Sequence, residues 1–90
     1  MRLINLSKQA DKFLDQLPPK QFKQIAKSIF SLAKTPEQVD TLKLKGTDQF
    51  YRKDSGEYRI IYRFDPAVLY VTVVGKRNDN AVYKIFDRSQ

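Results

Sequence analysis

Apolar positions recur every three or four residues through the first third of the chain and every second residue in its last half, dividing it into a helical and a stranded part. Arg2 to Leu6 reads as a short first strand. Ser7 then suits a helix N-cap, and Ala10, Phe13, Leu14 and Leu17 share one helical face until Pro18-Pro19 ends it. Phe22, Ile25, Ala26, Ile29, Phe30 and Ala33 mark a second helix, closed by Thr35-Pro36. The two predict a helical hairpin with one apolar side, and Lys20, Lys23, Lys27 and Lys34 lie on its outer side. Residues 37–41 read as a turn or a single helical turn.

Beyond this point the period shortens. Tyr58, Ile60, Tyr62 and Phe64 alternate with Arg59, Ile61 and Arg63, as in a strand with two different faces. Asp65-Pro66 signals a turn, and Val68 to Val74 is a second β-rich run, so the two pair as an antiparallel hairpin. Gln49 to Lys53 adds a further strand, turning back through Asp54-Ser55-Gly56. Residues 79–88 read two ways: Val82, Ile85 and Phe86 fit one face of a short C-terminal helix, and residues 81–86 equally extend a strand. The pattern therefore predicts an α+β fold, with an antiparallel sheet of about four strands packed against an N-terminal helical hairpin. Such a two-layer fold leaves one sheet face less covered.

Ninety residues suffice for one domain, residues 1–90, with a thin core. The chain has no cysteine and no histidine, which removes disulfides, thiolate chemistry, sulfur-ligated zinc and imidazole acid–base catalysis. Its ten Asp and Glu form no metal-binding spacing, so no metal or cofactor is expected. The residues after Met1 turn polar too soon for a secretory signal, and no run is long enough to cross a bilayer; a cytoplasmic location without membrane contact is the expectation. With 17 Lys and Arg, the formal net charge is +7. That field attracts polyanions, or an acidic protein.

The basic residues concentrate in the stranded half. Arg59 and Arg63 lie on one side of a strand, Arg52 and Lys53 on its neighbour, and Lys76 and Arg77 just after Gly75. Lys43 and Lys45 flank Leu44, outward by alternation. Tyrosines 51, 58, 62, 70 and 83 interleave with them, a combination that suits RNA through phosphate contacts and base stacking. Tyr58 and Tyr62 share a face with Ile60 and Phe64 and so belong to the core. RNA can be cleaved here without a metal or histidine, because its 2′-OH supplies the nucleophile and arginines can offset charge on the phosphoryl oxygens. Proton transfer would fall to a tyrosine or lysine.

Three segments, Gly56-Glu57-Tyr58-Arg59-Ile60-Ile61-Tyr62, Val73-Val74-Gly75-Lys76-Arg77 and Val82-Tyr83, resemble the RelE/ParE superfamily of bacterial toxins from type II toxin–antitoxin modules, in particular its RelE-like branch. The likeness runs over nearly the whole chain. It implies a metal-independent endoribonuclease that enters the 30S A site of the ribosome and cleaves mRNA through 2′-OH attack, with a cognate antitoxin as partner. By position it implies that Arg59 contacts the phosphate, Arg77 stabilises the transition state and Tyr83 lies near the nucleophile. Lys53, Tyr83 or neither serves as general base, and Lys45 matches a basic position that grips RNA or ribosome; Lys43, Arg52, Arg63 and Lys76 are the further RNA-binding candidates of the basic patch. Asp54 departs from the pattern, standing where a second basic residue would be comfortable. The superfamily also contains ParE-like poisons of DNA gyrase, which share the fold without the ribonuclease set; a non-catalytic RNA- or protein-binding module is the other alternative.

Overall fold

The structure, a computed structural model, describes residues 1–78 and 80–89. Strand β1 (Leu3–Leu6) leads into helix α1 (Lys8–Asp15), and helix α2 (Pro19–Lys34) follows. Strands β2 (Leu42–Lys43), β3 (Tyr51–Ser55), β4 (Tyr58–Phe64) and β5 (Val68–Lys76) come next, and helix α3 (Ala81–Ser89) closes the chain. Among the described residues the sheet has five strands in the order β1-β5-β4-β3-β2, all neighbours antiparallel except β1, which runs parallel to β5. The α+β reading holds, with one strand more than expected. The added strand is β2, only two residues long and too short to show an alternation of its own.

Ser7 starts α1 as its spacing predicts. Its hydroxyl accepts the Ala10 amide proton at 3.0 Å and donates to the Thr72 carbonyl at 2.6 Å, tying the helix to the sheet. Thr72 is the extra residue of a bulge in β5, where Ile61 faces Val73 but Tyr62 already faces Val71. The bulge lets Val71 and Val74 both enter the core beneath α1 and α2.

That core holds Ala10 and Leu14 of α1, Ile25, Ile29, Leu32 and Ala33 of α2, and Tyr58, Ile60, Tyr62, Leu69, Val71 and Val74 of the sheet. The α2 stripe is narrower than its sequence suggests. Leu32 is fully buried, whereas Phe22 and Phe30 stand 43% and 50% exposed along an apolar groove of about 340 Å³ bordered by Ile4, Leu6 and Leu14. The second face of the sheet is not bare. Leu44, Ile61, Val73, Val82 and Phe86 form a smaller core there, so residues 81–89 resolve as a helix laid over part of that face, while residue 79 lies outside the described residues.

Tyr62 is the largest fully buried side chain, and its hydroxyl donates to the Pro36 carbonyl at 2.5 Å. Burial pushes its phenol up to about 12, from an ordinary value of 10.0. The native state thus holds this proton more tightly than the unfolded chain does. Its contribution to stability is complete below pH 10.0 and is lost as the pH rises to about 12. Denaturant melts taken across this window should fall more steeply for the wild type than for Tyr62→Phe. At neutral pH the same substitution should cost about 1–3 kcal/mol, because the Pro36 carbonyl is left without its donor.

Candidate nucleic-acid interface

Cross-strand register sorts the basic residues of the stranded half. Arg52 lies opposite Ile61 and Asp54 opposite Arg59, so these side chains share the face that carries α3. Lys53 lies opposite Ile60 and points to the face of the helical hairpin, where its Nζ donates to Asp40 Oδ2 at 2.7 Å. This contact holds the Asp40 carboxyl below its usual range. A one-residue step along a strand is enough to separate Lys53 from Arg59.

Arg59 is only 13% exposed and is the centre of the cluster. Its Nε donates to Asp54 Oδ1 at 2.6 Å and its Nη2 to Asp54 Oδ2 at 3.2 Å, while Nη1 donates to the Tyr83 hydroxyl at 2.8 Å. Arg77 reaches the same carboxylate from the end of β5, with Nη1 3.4 Å from Asp54 Oδ2, and its side chain is half exposed. The Arg77 backbone amide is fixed by the Glu57 carbonyl at 3.1 Å. The Asp54 carboxyl is held below the usual carboxylate range, chiefly by the hydrogen bond from Arg59 and further by the charges of Arg52 and Arg77. Arg59 is held above the ordinary arginine value, first by the same bond. Both groups stay ionised near neutral pH.

Two local devices place Tyr83. Asn80 adopts a left-handed backbone with φ 60°, a conformation asparagine tolerates, and its carbonyl accepts the amide protons of Tyr83 and Lys84 to begin α3. Gly75, opposite Arg59 on β5, lets that helix close on the sheet: a Cβ there would lie 2.8 Å from Val82 Cγ1. Tyr83 borders a cleft of about 520 Å³ with Arg52, Lys43, Lys45, Phe86 and Asp87. The cleft combines cations with an apolar wall of Leu42, Leu44 and Phe86, and Asp87 stands at its border.

The structure therefore brings Arg59, Arg77 and Tyr83 together and sets Arg52 and Lys45 beside them; Lys43, opposite Tyr51 in register, holds its Nζ 5.9 Å over the Tyr51 ring on the helical-hairpin side. Arg63 and Lys76 stand apart. Arg63 is four residues along β4 from Arg59, about 13 Å at ordinary strand rise, and stacks on Tyr70 at 3.9 Å. Lys76 pairs with Tyr58 and shares its register with the helical-hairpin face. Two contributors escape a reading by residue type, Asp54 and the apolar wall. The short Gly56-Glu57 turn, with Gly56 at φ 60°, was the available signal for the first, since a two-residue loop puts Ser55 against Tyr58 and hence Asp54 against Arg59. Among the described residues no group of three or more His, Cys, Asp or Glu side chains is placed to hold a metal ion, and no helix is long and apolar enough to cross a membrane.

A helical hairpin on one face of a mixed five-stranded sheet, with a C-terminal helix on the other, is the architecture of the RelE-like toxins. Residues 4–81 match the family described as ParE toxin of type II toxin-antitoxin system, parDE, and the chain belongs to that family. The curated relative RelE1 of Methanocaldococcus jannaschii is 29% identical over 79 residues, 82% of this chain and 88% of its own length. The free state of the E. coli toxin RelE, in a double arginine-to-alanine variant, superposes with a TM-score of 0.79 at 22% identity, covering 98% of this chain and 96% of that one. The archaeal RelE of a RelE–RelB complex from Pyrococcus horikoshii gives 0.70 at 27% identity, covering 87% of this chain and 97% of that one.

Proposed function

We propose that this toxin is a metal-independent, ribosome-dependent endoribonuclease of mRNA. The observation that carries the reading is the convergence of Arg59, Arg77 and Tyr83 within one hydrogen-bonded cluster beside a cleft lined by Arg52 and Lys45. The 2′-oxygen of the substrate attacks the adjacent phosphorus, the bond to the 5′-oxygen breaks, and a cyclic phosphate and a 5′-hydroxyl form. Arg59 binds the phosphate, and Arg77, half exposed and free to swing, meets the charge that develops on the phosphoryl oxygens. The Tyr83 oxygen accepts a hydrogen bond from Arg59 Nη1, so its own O–H remains to give its proton to the leaving 5′-oxygen, and the proton lost by the 2′-OH restores it. Arg52 and Lys45 hold the RNA along the cleft. Lys53 takes no part, because it faces the other side of the sheet. With no imidazole in the chain, the ribosome supplies alignment of the 2′-OH.

A cognate antitoxin completes the proposal. Solved relatives include RelE–RelB complexes, and the groove bordered by the exposed Phe22 and Phe30 offers apolar surface that a partner would cover. A second reading, a poison of DNA gyrase, is favoured by the match to a family described by ParE. Brief expression with parallel assays of protein synthesis, mRNA cleavage within codons and plasmid supercoiling distinguishes the two. Cuts within codons that need ribosomes, and that weaken about 100-fold or more in Tyr83→Phe, are expected. Intact mRNA with gyrase-dependent DNA damage would move the assignment to the second reading.

A further inference from the structure

We propose that Asp54 is a positioning residue that fixes Arg59 for the phosphate while leaving Arg77 free to follow the reaction. A carboxylate inside a site for a polyanion weakens the attraction of that site, so its presence calls for a compensating role. The bonds define one. Asp54 takes Arg59 side-on, through Nε and Nη2 together, and Tyr83 takes Nη1. A guanidinium has five N–H donors; among the described residues three of them have partners, which leaves two for a ligand in an orientation that the side-on pair locks.

Arg77 is held differently. It meets Asp54 through one 3.4 Å contact and is half exposed, whereas Arg59 is 13% exposed. An exposed pair of this length contributes little and yields readily to a phosphate. The one carboxylate thus divides two like residues into a fixed donor and a mobile one. The attraction for RNA comes from the cations that line the cleft, Arg52 and Lys45, together with Arg77 once released.

This role rests on the ribonuclease reading, but the state of Arg59 can be observed without catalysis. In nitrogen–proton spectra of the protein, one arginine Nε–H signal, assigned by its loss in Arg59→Lys, should exchange slowly. It should collapse toward the free-arginine position in Asp54→Ala and survive in part in Asp54→Glu. In single-turnover cleavage of ribosome-bound mRNA, Asp54→Ala and Asp54→Asn should slow the reaction about 10- to 100-fold. Their affinity for a short oligoribonucleotide should be unchanged or tighter, and Asp54→Glu should recover part of the rate. A merely structural role would weaken affinity and rate together. Cleavage at or above the wild-type rate in both Asp54→Ala and Asp54→Asn, or an Arg59 signal indifferent to them, overturns the proposal. If the wild type cleaves no RNA, the ribonuclease reading fails by itself and the Arg59 signal alone decides whether Asp54 fixes that side chain.

Discussion

Arg77→Ala should reduce ribosome-dependent cleavage by about 100- to 1000-fold, the cost of removing one preorganised donor from a developing oxyanion, with little change in stability. Stability is spared because the Arg77 side chain is half exposed and makes one 3.4 Å contact to Asp54, a pair of the kind that contributes less than about 1 kcal/mol. Its backbone amide, bonded to the Glu57 carbonyl, is unaffected by the substitution. A thermal melt should therefore overlay that of the wild type within a few degrees while growth inhibition on expression disappears. Arg59→Ala is a poorer probe. It removes three hydrogen bonds and leaves Asp54 with one weak partner, so a loss of activity there mixes binding with local rearrangement. An Arg77→Ala protein that still cuts mRNA at the wild-type rate would remove this residue from the mechanism.

The fold was legible wherever one period governed a segment for several residues. Alternation from Tyr58 to Phe64 gave both the strand and its faces, and Ser7 gave the start of α1. Legibility failed where a residue's surroundings lie far away in sequence. Phe22 and Phe30 fit the α2 stripe by spacing, yet they flank its buried line and border the groove toward β1, an outcome set by how the helices meet the sheet. The C-terminal segment carried apolar positions compatible with helix or strand; the space over Gly75, which a Cβ would fill, is what accommodates a helix.

Within the candidate site, residue type identified the cations but only pairing sorted them. Arg52 and Lys53 are adjacent in sequence and lie on opposite faces, one bordering the cleft and the other bonded to Asp40. Asp54 looked like a departure from a basic pattern and proved to be the group that joins both arginines. A net charge of +7 therefore overstates what the cluster itself presents, since Arg59 is matched by a carboxylate. The unmatched charge lies beside it, along the cleft.

Gly75→Ala should be among the most damaging single-methyl changes, because it acts on Tyr83 through the helix that carries it. The added Cβ would lie 2.8 Å from Val82 Cγ1, and Val82 is fully buried and β-branched, so neither side chain can turn aside. Helix α3 must lift. Overpacking of this kind costs about 1–3 kcal/mol, and lifting α3 also opens the core formed by Leu44, Ile61, Val73, Val82 and Phe86. The bond from Arg59 to the Tyr83 hydroxyl, 2.8 Å in the intact site, does not survive a shift of 1 Å, and activity should fall about 100-fold. Val82→Ala supplies the control. Alone it leaves a cavity and lowers stability, but combined with Gly75→Ala it removes the clashing Cγ1, and Cγ2 with it, against one methyl added on the strand, so the double variant should regain stability and cleavage in part relative to Gly75→Ala. Equal defects in the single and double variants would show that Gly75 is needed for something other than the closeness of α3, such as its own strand geometry opposite Arg59.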